Sequence, residues 1–347
     1  MSEIPIAWAM CFMLCVSGHT RHSSTILEHK AISLSSPKLV TLGVYVMYTD
    51  DFATKFADYH HDRHEARGYF RSLLKAVELR FGTTMPINLQ LILVGSRSSP
   101  AIDDACLVLT AQDKGAPVDA EATLRKLKQC KQDDRDLKEA DVLLLLTTKS
   151  ITRSSQASWP GNATPQGICT CDSVGLATDD GRTFSGTHQV AVELALLLGA
   201  TRDTEGGETD CLQSQGYLLS SRFGGLRYQL SRCSEFAMFV YLEQVNPSEQ
   251  CWNDAPQEAP FANEYPKQFP SDYIKAKNTD ICKTRIPACV TRLAGDIETC
   301  KVNCCGDMEG DLKLYVDPLA PDGTPCQDEG VKLLSRSRRS HKKRVKL

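Results

Sequence analysis

Few residues in this sequence have chemistry to offer, and they are unevenly spread. A single carboxylate, Glu193, interrupts the aliphatic run Val190–Leu198, and Arg202 and Asp203 follow shortly after it. Val192 and Leu196 on either side of Glu193 carry no lone pairs, and Arg202 brings a permanent positive charge that opposes a dication. The run therefore reads as a buried core helix, apolar nearly all round. His188 sits one helical turn before Val192 on the same face, and reads as a partnered structural histidine. In His60-His61-Asp62-Arg63-His64-Glu65, two imidazoles stand at i, i+4, a spacing able to chelate zinc or copper. With no third ligand evident, a solvated helix face is the simpler reading.

The elements that must position these residues follow from periodicity. Leu39–Tyr48 is an apolar, β-branched run closed by Thr49-Asp50-Asp51, which predicts a buried strand and a turn. From Asp51 to about Phe81 the apolar residues recur at helical spacing, Phe70, Leu73, Leu74 and Val77 among them, predicting one or two amphipathic helices. Ile87–Val94 reads as a second strand, Val118–Cys130 as a helix with an acidic first turn, and Asp141–Thr147 as a third strand. This β-α-β-α-β order predicts an α/β fold. Ser154–Gly167 is a loop by composition, and Ser173–Thr178 is expected as an edge strand ahead of the turn at Asp179-Asp180-Gly181. Helices are expected over Thr187–Leu198 and just after Cys233, where Phe236, Met238, Phe239 and Leu242 recur.

Composition bounds the setting. With 347 residues, 41% hydrophobic content and a net charge of −3, the chain has material for one large core and a smaller module, and no overall field for nucleic acid. Residues 1–18 read as a signal peptide, too short to span a bilayer, so secretion is expected and a membrane span is not. Of the fifteen cysteines, Cys11 and Cys15 would leave with that segment. The remaining thirteen read as covalent staples with one left over. Seven of them fall between Cys251 and Cys326, predicting a disulfide-rich domain over 251–330. Asn162-Ala163-Thr164 is an acceptor for N-glycosylation at Asn162. The basic run Arg336–Lys346 closes a disordered tail, 331–347, able to engage heparan sulfate or another anionic surface.

The segment Asp179–Asp203 resembles the active-site helix of the reprolysin-type (M12B) metzincins, which include the ADAM and ADAMTS proteases and the secreted salivary metalloproteases of ticks, to which it looks closest. That motif, H-E-x-x-H-x-x-G-x-x-H, supplies three imidazoles to a zinc that activates water for its glutamate. With Glu193 and Gly199 on the motif positions, the three ligand positions hold Val192, Leu196 and Arg202, and Asp203 stands where an aspartate often follows. Gly216–Ser220 is similar to the turn beneath the metal, with Leu219 at the position of its methionine. The resemblance implies an α/β/α sandwich over 38–250, preceded by a short segment, 19–37, in place of a prodomain. It also implies zinc lost, no intact catalytic set and Glu193 vestigial; calcium is left open.

Three functions follow as expectations. The first is a secreted pseudoprotease whose cleft, along Ser173, Val174, Gly175 and Leu176, pairs with extended segments of extracellular host proteins, with targets in haemostasis, angiogenesis or immunity by family resemblance. The second is an active zinc endopeptidase with non-standard ligands. In the third the basic tail works on anionic surfaces and the fold carries it.

Overall fold

A computed structural model describes residues 38–60, 66–81, 87–98, 106–111, 113, 115–153, 156–159, 161–204, 211–220, 229–245, 250–253, 270, 273 and short strands between 289 and 331. The signal segment, His61–Glu65 and the basic tail lie outside these residues, as does most of the cysteine-rich stretch. The chain divides into two compact units, 1–267 and 268–347.

The first unit is built on a five-stranded sheet. Its strands are β1 (Lys38–Tyr48), β2 (Ile87–Ser98), β4 (Val142–Thr147), β7 (Gly161–Ala163) and β8 (Val174–Thr178), in the order β2-β1-β4-β8-β7. The first four strands across are parallel and β7 alone runs antiparallel. Two short strands, β5 (Ile151–Arg153) and β6 (Gln156–Trp159), form a small separate sheet with β3 (Val118–Asp119). Every residue of β4 is buried, as a strand covered on both faces requires.

Helices supply that cover. On one face, α3 (Ala120–Asp133) packs Leu124 and Leu127 into a cluster with Met47, Leu143, Leu145, Val174 and Leu176. Asp119 caps this helix by accepting from the Ala122 amide at 2.9 Å. A short helix α4 (Arg135–Lys138) follows, and Asp134 caps it in the same way. The opposite face is taken by α2 (Ala66–Glu78) and α5 (Thr187–Leu197), which touch each other. α2 buries Tyr69, Phe70, Leu73, Leu74 and Val77, each contributing roughly 2 kcal/mol of apolar burial. α1 (Asp50–His60) precedes it, and Asp51 ties the start of α1 to the end of β4 by accepting from the Thr148 amide at 3.0 Å. α6 (Arg232–Gln244) closes the unit, capped by Ser231. The expected α/β sandwich is therefore present.

Two expectations fail. The compositional loop at Ser154–Gly167 contains β6 and β7, and Ser173–Thr178 is no edge. β8 pairs with β4 through Leu143↔Val174 to Thr147↔Thr178, and with β7 through Gly161↔Ala177 to Ala163↔Gly175. The apolar VGLAT run suits an interior strand, and the Gly-Asn-Ala of β7 is too short and polar to show an alternating pattern.

Between described residues, disulfides join Cys106–Cys130, Cys169–Cys251 and Cys211–Cys233. The second unit contains a three-stranded antiparallel sheet, ordered Lys313–Val316, Asn303–Asp307, Cys289–Arg292, and a two-stranded one.

Candidate functional site

α5 runs beneath β8 and ends in a turn that only glycine fits. The amides of Gly199 and Ala200 donate back to Leu196 O at 3.0 Å and Ala195 O at 2.9 Å, and Gly199 has φ +93°. A Cβ there would sit 2.5 Å from the Tyr241 side chain. This tight stop turns the chain sharply and delivers Thr201, Arg202 and Asp203 beside the helix rather than along it.

Within α5, Val192 and Leu196 are buried, and Glu193 is 1% exposed. Gln189, one turn earlier, donates its side-chain amide to Glu193 Oε1 in a short contact. Glu193 Oε2 has no hydrogen-bond partner. Burial raises the carboxyl to about 7, opposed by the positive charges of Arg202 and Arg153 and by the Gln189 contact. Arg202 is itself half-buried, and loss of water and the nearby Arg153 charge lower its affinity for a proton while Glu193 supports it. Gly161 of β7 lies against this pair: a Cβ there would fall 2.8 Å from Glu193 Oε1 and 2.7 Å from Gln189 Cγ. At Gly175, by contrast, a Cβ would make only an ordinary contact with Glu193, 3.8 Å from its Cβ. Neighbouring His188 is partly buried, and burial with the Arg80 charge lowers its imidazole to about 4, so it is neutral at physiological pH.

Asp203 anchors the floor below. Its backbone bridges to Ser220, and its amide donates to Leu219 O at 3.4 Å, so the turn carrying Leu219 sits against it. Leu219 is fully buried. The Asp203 carboxylate accepts from Ser231 Oγ at 2.5 Å, and Ser234 Oγ donates to Thr201 O at 2.6 Å. Burial raises the Asp203 carboxyl, with the two serine hydroxyls opposing.

A second buried carboxylate governs the approach to α5. Asp179 Oδ1 accepts from Tyr69 Oη at 2.6 Å and from the Gly181 amide at 2.8 Å, and Oδ2 accepts from the Gly186 amide at 2.7 Å. Tyr69 Oη in turn accepts from the Phe184 amide at 2.9 Å, and the two rings stack at 4.1 Å. Burial and the adjacent Asp180 charge raise Asp179 to about 7. Nothing in the sequence pairs Tyr69 with Asp179 across 110 positions; the Gln189–Glu193 contact, by contrast, has the i, i+4 spacing that side chains on one helix face need.

The residues expected to line the cleft are thus displaced. Val174, Gly175 and Leu176 are interior and buried, and Ser173 spends its hydroxyl on Asp141 O at 2.5 Å. Among the described residues the sheet ends at β2 and at β7, and in β7 Asn162 alternates with Gly161 and Ala163 and so points to the opposite face from Glu193. Asn162 lies in a strand, where the sequence alone indicates a loop.

As a zinc site the constellation does not fit. Val192 and Leu196 offer no donor atom and Arg202 offers only positive charge, and the described residues contain no group of three or more His, Cys, Asp or Glu able to hold a metal.

Residues 109–256 match the family model described as "Reprolysin (M12B) family zinc metalloprotease". Over 160 residues the chain is 23% identical to "Venom metalloproteinase BumaMPs1" of Olivierus martensii, covering 44% of this chain and 40% of that protein. Over residues 109–256 the chain is similar to the reprolysin-type metalloproteases. It spans about two fifths of the length of this venom relative. The match takes in α5, the Leu219 turn and α6, the elements that carry Glu193 and Asp203. Neither comparison bears on closeness to tick salivary enzymes. A solved structure described as "Structure of a chaperone-substrate complex" is similar over 50% of this chain and 25% of its own, at 12% identity and a TM-score of 0.32, too slight a likeness to bear on fold or function.

Proposed function

We propose that this reprolysin relative is a secreted, catalytically inactive pseudoprotease that binds extracellular proteins through its cleft. The observation that carries this is the donor set around Glu193: aliphatic side chains at Val192 and Leu196 and a guanidinium at Arg202. A carboxylate with no metal-bound water beside it has nothing to deprotonate, so Glu193 keeps the place of a general base without its work. The extracellular setting is supported by the venom relative, by the disulfides and by the absence of a helix long and apolar enough to cross a membrane among the described residues.

Binding takes place at β7. One side of Gly161–Ala163 is paired with β8, and among the described residues the other side has no strand, which leaves an edge for an extended segment to add through backbone hydrogen bonds. A glycan on Asn162 would project from the face of β7 away from Glu193. Retention of host proteins without cleavage would sequester a protease substrate, in haemostasis, vessel growth or immunity by the family's habit.

Incubation of the secreted protein with gelatin and fibrinogen, followed by capture from plasma, tests both halves. Intact substrates with specific capture are expected. Cleavage that a chelator abolishes would refute the reading, and so would failure to capture any plasma or matrix protein.

A further inference from the structure

We infer that Glu78 is an autoinhibitory cap on the β2 edge of the sheet: by occupying the Leu91 amide, it keeps a second copy of this chain from pairing there and holds the protein monomeric. The inference concerns the end of the sheet opposite β7 and stands apart from the binding reading above.

Among the described residues no strand lies beyond β2. In a parallel sheet each residue turns its N–H and C=O to one side, and neighbours along the strand alternate. The Leu91 amide donates to Glu78 Oε1 at 2.7 Å, so residue 91 faces away from β1, and Ile87, Leu89 and Leu93 share its direction. Their side chains are buried, and α2, which packs on this strand, ends at Glu78. Past Leu93 the register with β1 slips, Val44 facing Leu93 and Tyr45 facing Gly95, so the regular edge is the stretch Ile87–Leu93.

That stretch has the makings of a self-pairing strand. It reads Ile-Asn-Leu-Gln-Leu-Ile-Leu, without proline, glycine or charge, so a like edge meets no repulsion. Two copies related by a two-fold axis would present it to each other antiparallel and continue one sheet into the next. Glu78 stands in the way near its middle. The Glu78 side chain is 7% exposed, and its Oε2 accepts from Lys75 Nζ at 2.6 Å, so both oxygens are engaged. A charge-assisted bond to the Leu91 amide is stronger than one from a neutral carbonyl. An incoming strand would therefore have to displace a better acceptor and leave a buried carboxylate without that donor. Once the carboxylate is removed, the Leu91 amide lacks an acceptor, and a strand of the second copy supplies one.

Sedimentation velocity of the full chain over about a hundredfold range of concentration, for the parent, Glu78→Gln, Glu78→Asp and Glu78→Ala, tests this. The parent is expected to stay monomeric, and so is Glu78→Gln, whose side-chain oxygen still accepts from Leu91. Glu78→Ala, and Glu78→Asp with its shorter reach, are expected to dimerise at least about tenfold more tightly than any association of the parent. Amide exchange across Ile87–Leu93 should slow as they associate. In the dilute parent, with no variant to fold, the Leu91 amide should exchange about tenfold or more slowly than those of Leu89 and Leu93. Equal exchange at these three amides overturns the inference, and so does a parent dimer paired through β2. It is overturned equally if Glu78→Ala and Glu78→Asp stay monomeric, if they associate without protecting Ile87–Leu93, or if Glu78→Gln associates as they do.

Discussion

Two buried carboxylates, one ahead of α5 and one within it, have opposite fates. Asp179, before the helix, has both oxygens answered, by Tyr69 Oη and by the amides of Gly181 and Gly186. Glu193, within it, has one oxygen answered by Gln189 and the other by nothing. Both are pushed up to about 7 by burial. Equal burial with unequal satisfaction sets the two apart: Asp179 holds the loop that starts the helix, whereas Glu193 keeps one buried oxygen without a hydrogen-bond partner.

Substitutions at the two carboxylates should divide accordingly. The largest expected effect is at the staple, where Asp179→Ala strands three donors and should cost about 3 kcal/mol or more in urea unfolding. A loss under about 1 kcal/mol would mean that the three bonds do not hold the loop. Gly161→Ala comes next, because the added methyl meets Leu176 O at 2.7 Å and Glu193 Oε1 at 2.8 Å. We expect roughly 2 kcal/mol of destabilisation, with peptide binding at β7 weakened in parallel.

The smallest effect has the opposite sign and distinguishes the two carboxylates most sharply. Glu193 is raised from 4.5 to about 7 in the fold, so the folded chain holds a proton there that the unfolded chain has released. Stability from this group is therefore lost as pH rises from about 4.5 to about 7 and stays lost above. Glu193→Gln removes that loss. Relative to the parent, the variant should be unchanged below pH ~4.5 and about 1–2 kcal/mol more stable above pH ~7, read from paired unfolding curves across pH. A variant less stable at every pH would show that Glu193 is satisfied after all.

Much of this was legible in the sequence, and the failures have a common cause. The apolar runs at Leu39–Tyr48 and Asp141–Thr147 declare strands because both faces of the sheet are covered there, Ile87–Val94 declares one by alternating buried and more exposed residues, and the Gly199 stop shows itself because glycine takes φ +93° without strain. β7 stayed hidden: three small or polar residues carry no periodic signal, and missing it turned the interior strand Val174–Thr178 into an apparent edge. The Tyr69–Asp179 link is tertiary, formed across 110 residues, and no local pattern encodes it. The side chains at Val192, Leu196 and Arg202, by contrast, are a matter of residue identity, and the proposal that they occupy vacated ligand positions rests on the frame of Glu193 and Gly199.

Zinc content separates a pseudoprotease from an enzyme most directly. Inductively coupled plasma mass spectrometry on the secreted, folded chain, purified without chelator and dialysed against trace zinc, should return well under about 0.1 equivalent per chain. Roughly one equivalent, removed by chelator with a fall in melting temperature, would contradict the assignment of Glu193 as a remnant and restore the enzyme reading.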